Sequence, residues 1–313
     1  MYKSLTLYIL IAIIKTIVER KGEMSLFFCG SNCDLGKETA KQLGIDYFDI
    51  PYSFDGKKQK FSYNSKFDYD EFYKQLKNGA EILPMTVKDY IDVFRPCMEA
   101  GEDVLLVHAN KKLNPSYQNL KTAIEELSKR YPQRVIKRVD SYSISLGYGI
   151  IVYDAGLMYK RGDKIESIFK RIKTMRKEYV TYVMLENYAN LEKIGKQPKN
   201  EKLISTVLNV KPILTLSSFG EWVSCPTAMG RKKGLGELAG KLFKMGENVA
   251  DYPIGISYCN CEKDAKELET IIKKMYGDDI IIWIRPMSPE VSCLLGEGSL
   301  TLSFHAKKRE EVK

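Results

Sequence analysis

Histidine is almost absent from this sequence. The 313 residues hold two, His108 and His305, which argues against a histidine-rich metal centre. Metal-type cysteine pairs are missing too. Among the seven cysteines there is no C-x-x-C, and Cys29/Cys33 and Cys259/Cys261 have the wrong spacing for zinc. Seven is an odd number, and Cys29 and Cys293 lie in apolar runs, so reduced thiols in a cytoplasmic protein fit better than a disulfide framework. There is no Walker loop, no G-x-G-x-x-G and no G-x-S-x-G, and no Ser-His-Asp set can be assembled without forcing the geometry. The lack of a recognisable catalytic or cofactor-binding set points to a binding protein that needs no cofactor, rather than to an enzyme. No internal repeat or low-complexity stretch is visible.

A membrane-spanning run is also lacking. The apolar run from Leu5 to Ile14 falls short of the roughly 20 residues that cross a bilayer, and no small-x-small cleavage site follows it. Met24 opens the strand-like MSLFFC and would make a sound start. Residues 1–23 therefore read as an over-extended start or passive helix, as an interfacial helix that touches a membrane, or as an export segment.

What is present is ordinary globular composition, 44% hydrophobic and 28% charged, in a chain long enough for two domains. The net charge of +9 does not mark a nucleic-acid binder. Its basic residues are scattered among acids, as in KRIKTMRKE (170–178) and KKREEVK (307–313), with no aromatic-and-basic strip.

From Met24 strands and helices alternate. SLFFC (25–29), IDYFDIPY (45–52), EDVLLVHA (102–109) and RVIKRVDS (134–141) read as strands, with residues 53–66 as a polar loop. Helices are expected over 37–44, 68–79, 87–101, 116–132, 144–162 and 164–178. The unbroken apolar EDVLLVHA suits a parallel sheet covered on both faces. This predicts a doubly wound α/β domain over 24–178. The second half reads as a smaller α+β domain over 179–306. Its expected strands are 179–185, one ending at Lys211-Pro212, 253–260, 279–286 and 299–306. Helices are expected after Leu203 and over 235–246 and 263–277, with a hairpin turn around Phe219-Gly220. Residues 307–313 read as a charged tail.

In open α/β sheets ligands gather beyond the carboxyl ends of the strands. Ser31, Asp34, Asn110, Asn114 and Ser116 sit in such turns, although Asp34 and Ser116 equally suit helix capping. His108 ends an apolar strand, where it is either a satisfied core residue or a ligand contact. His305, in the last strand, reads as structural.

An ordered series of motifs resembles the DegV family. GSNCDL (30–35) is similar to D-S-T-x-D-L, with Gly30 for the first Asp. Ile50-Pro51 resembles the family's strand end, KLNPSYQ (112–118) its L-S-G-T-Y-Q turn, and DSYSISLGYG (140–149) its D-S-x-x-x-S-x-G-x-G. Lys211-Pro212-Ile213-Leu214 matches K-P-I-L, Arg231-Lys232-Lys233 falls at a basic R-x-K turn, and LLGEGSL (294–300) resembles H-x-G-P-G-x-L. The resemblance runs from about residue 25 to 305. It implies two domains that hold one long-chain fatty acid in an apolar tunnel between them, with hydroxyls and a histidine on the carboxylate. It also implies a carrier that presents its lipid to a separate fatty acid kinase subunit.

The departures from the family pattern cluster at the implied head-group site. Ile82-Leu83 replaces a T-S pair, Asn114-Pro115-Ser116 an S-G-T turn, Leu294 the histidine, Glu297 the proline, and Ile194-Gly195-Lys196 a G-G-R turn. The resemblance then leaves Ser31, Ile82, Leu83, Thr86, His108, Asn114, Ser116 and Leu294 as the expected lipid-binding set, with Lys196 and Arg231 facing a partner. Either the tunnel persists with other groups on the lipid, or it is filled by side chains.

Overall fold

The structure, a computed structural model, describes residues 25–59, 61, 67–198 and 209–309. The expected apolar N-terminal segment, the helix expected after Leu203 and the last four residues of the expected tail lie outside the described residues.

The first half begins with β1 (Ser25–Gly30), a 3₁₀ turn (Ser31–Cys33), α1 (Lys37–Gln42) and β2 (Asp46–Phe48). The expected strand over 45–52 breaks here: the Ile50 amide leaves the ladder and donates to Ser31 Oγ at 2.8 Å. Pairing resumes in β3 (Tyr52–Phe54), which forms a hairpin with β4 (Lys57–Gln59). The expected loop over 53–66 thus holds a hairpin. Its signal was Phe54-Asp55-Gly56-Lys57: Asp55 and Gly56 both have positive φ, 50° and 68°, as a two-residue primed turn requires. Then come α2 (Tyr69–Lys77), capped by Asp68, β5 (Glu81–Ile82) against β3, α3 (Val87–Glu99), β6 (Asp103–His108), α4 (Tyr117–Arg130) and β7 (Ile136–Asp140). The four main strands make a parallel sheet in the order β2-β1-β6-β7. Val104 and Leu106 of β6 pack on α3 and α4, while Leu105 and Val107 pack on the opposite face. The unbroken apolar run is therefore consumed on both sides of the sheet.

Next come α5 (Ser145–Arg161) and α6 (Ile165–Met175), then β8 (Tyr179–Met184), α7 (Ala189–Lys193), β9 (Val210–Leu216), β10 (Trp222–Met229), α8 (Arg231–Met245), β11 (Ile254–Tyr258), α9 (Glu262–Tyr276), β12 (Ile282–Pro286), α10 (Pro289–Leu295) and β13 (Leu300–His305). The second sheet has six strands in the order β10-β9-β8-β13-β11-β12, antiparallel except for the parallel pair β11/β12. Three expectations are corrected here. β9 continues through Lys211-Pro212 instead of ending there, α8 starts at Arg231 rather than residue 235, and the stretch before the last strand contains α10. Ser288 followed by Pro289 at the first helical position is the start signal for α10.

α5 joins the halves. Ser145 to Val152 are all buried, as in a helix surrounded by protein rather than one lying on a surface. It packs on β1 of the first sheet and on β8, β11 and β13 of the second. Glycines permit this closeness. A methyl group on Gly147 would overlap hydroxyls of Ser143, Thr181 and Ser303, and one on Gly149 would overlap the Cys33 carbonyl. The expected charged tail also takes part in the junction. Arg309 is buried, and its guanidinium donates to the carbonyls of Tyr179 (2.8 Å), Ser217 (3.2 Å) and Tyr142.

Candidate functional site

Where the halves meet lies an apolar cluster to which both contribute. Tyr52, Phe72 and Leu113 come from the first half, and Val183, Leu214, Leu216, Met287, Val291 and Leu294 from the second. These side chains are buried against one another. α10 runs through this cluster and is buried along its whole length, with β5, α7 and α2 packed against it.

A polar knot lines the edge of the cluster, built from the turns that follow the first-sheet strands. Ser31 is fully buried and fixed by the Ile50 amide, while its carbonyl accepts from the Tyr47 hydroxyl at 3.1 Å. Asp34 takes a left-handed φ of 54°. It does not cap α1; its carboxylate accepts from Ser145 Oγ of α5 and from the Ser288 amide at 3.0 Å, which fastens the first sheet to the approach to α10. Beside it, Asn32 Nδ2 donates to Glu290 Oε2 at 3.1 Å. Glu290 is buried, and the loss of water pushes its carboxyl up to about 7, the Asn32 hydrogen bond working against the rise and the nearby Asp34 charge adding to it.

The turn after β6 supplies the rest. Ser116 is buried and its Oγ accepts from the Met85 amide at 2.9 Å, so it ties two loops rather than capping α4. Asn114 Oδ1 accepts from the Ser116 amide at 2.8 Å. The side chains of both hydrogen-bond Tyr90 of α3, whose hydroxyl burial pushes well above its usual range and which also feels the Glu290 charge. Asn110 is fully buried and bridges the halves: its Nδ2 donates to the Gly220 carbonyl at 2.7 Å.

The expected set is thus partly brought together. Ser31, Asn114, Ser116 and Leu294 belong to this knot or the apolar cluster beside it, and Ile82 of β5 packs at the cluster's edge. Leu83 is half-buried. Thr86 is exposed, and its hydroxyl forms a capping box with Asp89 at the start of α3. His108 is buried with its Nδ1 2.7 Å from the Ala109 carbonyl, its ring beside Tyr117, and its pKa lowered chiefly by burial. Lys196 spans the halves by donating to the Lys112 carbonyl at 2.7 Å. Arg231 is engaged by Asp264, Glu186 and the Gly298 carbonyl. Tyr90, Asn32 and Glu290 are the site residues that the sequence reading missed. The available signal was a lone acid in PEVSCLL, whose other residues are apolar or small.

Two clefts of about 550 and 540 Å³ lie elsewhere, at the surface on either side of Asn260 and Cys261. Neither is lined by any of the expected lipid-binding residues; Arg231 lines the first. Among the described residues no helix is long and apolar enough to cross a membrane.

Comparison with known proteins gives one consistent result. The family model described as "uncharacterised protein, DegV family" matches residues 28–307. A DegV domain-containing protein of Clostridium perfringens is 29% identical over 262 residues, covering 82% of this chain and 89% of its own. Among solved structures, a DegV family protein from Ruminococcus gnavus, refined with vaccenic acid, superposes with a TM-score of 0.77 at 20% identity, over 89% of this chain and 99% of that one. The Streptococcus pneumoniae fatty acid kinase (Fak) B3 protein, loaded with linoleic acid, also superposes with a TM-score of 0.77 at 20% identity, over 91% and 100%. A family model that runs through both sheets, from Phe28 at the first strand to Lys307 just past the last, leaves one conclusion: the chain belongs to the DegV family.

Proposed function

We propose that this protein binds a long-chain acyl lipid between its two halves and carries it without transforming it. The observation that supports this reading best is the junction itself: a wall of apolar side chains drawn from both halves, with a group of amides, hydroxyls and a carboxyl at its edge. Burial of the chain drives such binding, at about 0.8 kcal/mol per methylene. The polar end then needs hydrogen-bond partners, because an unpaired buried polar group is costly. The fatty acids held by the family's solved members point the same way. An acyl chain enters only if the packed side chains of the junction part, and the burial gained offsets that opening.

A carrier of this kind hands its lipid to a second protein, of the kinase type named for the Streptococcus pneumoniae neighbour. We assign it to the cytoplasm on its odd number of unpaired thiols.

A second reading, an interaction module without lipid, draws support from the same junction, whose side chains already pack against each other. Native mass spectrometry of protein purified from cells, combined with melting in the presence of added long-chain lipids, separates the two readings. The carrier reading expects an adduct of acyl-chain mass, or a rise in Tm that grows with lipid concentration. A clean spectrum, with no response to either charged or neutral acyl lipids, overturns it.

A further inference from the structure

Glu290 is a carboxyl embedded in the wall of the junction. It sits on α10 beside Val291, Cys293, Leu294 and Leu295, all members of the apolar cluster, and Leu294 stands one turn further along the same side of the helix. Among the described residues its hydrogen-bond partner is a single amide donor, Asn32 Nδ2, whereas a carboxylate accepts up to about four hydrogen bonds. Among the described residues no cation pairs with it. The groups in electrostatic reach are Asp34 in the turn after β1, Tyr90 on α3 and Cys293 on its own helix. On the elements packed against α10, charged groups pair at the surface. Glu81 of β5 pairs with Lys193 of α7, and Lys77 of α2 pairs with Glu297 at 3.0 Å.

We propose that Glu290 selects the head group of the lipid: the ligand accepted at this junction ends in a neutral hydrogen-bond donor such as a hydroxyl, not in a carboxylate. The inference rests on the carrier reading and narrows it. A hydroxyl gives Glu290 a donor that it lacks. A carboxylate brought to the same place sets two like charges close together in a dry site, where both cannot ionise, so one proton must be taken up for the ligand to enter. A long-chain alcohol and a monoacylglycerol both carry the required end.

The test uses hexadecan-1-ol and hexadecanoate as probes, each competing with a fluorescent acyl probe, on the full chain and on Glu290→Gln. At pH 8 the wild type should prefer the alcohol at least tenfold. The glutamine variant, which removes the charge but keeps the shape, should gain at least tenfold for hexadecanoate. A second arm needs no variant. Lowering the pH from 8 to 6 should tighten hexadecanoate binding to the wild type about tenfold and leave the alcohol within twofold. Tight hexadecanoate binding to the wild type at pH 8, unaffected by pH or by the substitution, overturns the inference and leaves the carrier reading standing. Binding of neither probe to either protein overturns both.

Discussion

The buried carboxyl of Glu290 at the junction makes stability depend on pH. The Glu290 carboxyl is raised by burial from an ordinary 4.5 to about 7. A raised acid stabilises the fold while it is protonated in both states, below its unfolded value. That contribution fades as pH climbs through the folded value, where the folded state must ionise a buried group. The pH window is therefore about 4.5 to 7, and the full effect is about 3 kcal/mol. Glu290→Gln should accordingly raise Tm at pH 8 relative to the wild type, and the difference should shrink to little at pH 5. A Tm difference that holds constant across that range would count against a protonated Glu290. The mark of this in the chain, a lone acid among the apolar and small residues of PEVSCLL, is a weak one. An acid between Pro289 and Val291 looks like any exposed first-turn glutamate that favours a helix N-terminus. Only the tertiary packing of α10 takes it out of water.

Among the elements, α5 carries the largest structural demand. Its sequence was readable as a helix, because Ser145 to Arg161 is long, apolar and stopped by Gly162 in the left-handed conformation. Which partners it serves was not readable, since its first half, Ser145 to Val152, is buried all round and has no preferred face to reveal its neighbours. Gly149 gives a direct test. Alanine is the better helix former by about 1 kcal/mol, yet its methyl group would overlap the Cys33 carbonyl, a backbone atom that cannot swing aside. Gly149→Ala should therefore destabilise the protein by about 2–4 kcal/mol in urea denaturation, opposite in sign to what helix propensity alone gives. The parallel sheet was equally legible from Val104 to Val107, where an unbroken apolar run needs cover on both faces. The β3/β4 hairpin was hidden because both strands have only three residues and β4 is polar, and its one clear mark was the Asp55-Gly56 turn.

At the scale of the molecule the halves share a helix, an apolar cluster and several cross-links, among them Asn110 to Gly220, Asp34 to Ser288 and Asn32 to Glu290. The junction cluster exists only while both halves are in place. Unfolding should thus be one cooperative event. The chain's two tryptophans, Trp222 and Trp283, both stand in the second sheet, so their fluorescence reports on that half while far-UV circular dichroism reports on both. The two denaturation curves should coincide; a gap between their midpoints would show that the sheets melt separately.

Arg309 adds a constraint in time. Its guanidinium satisfies the Tyr142 carbonyl, a group made 167 residues earlier on the chain, together with those of Tyr179 and Ser217. As the polypeptide leaves the ribosome, the first sheet and α5 emerge with these acceptors still wet, and they stay so until the cation arrives. Sealing of the seam between the halves is therefore a late step in biosynthesis, and the nascent protein passes through a stage in which its ligand-bearing surface is assembled but still ajar.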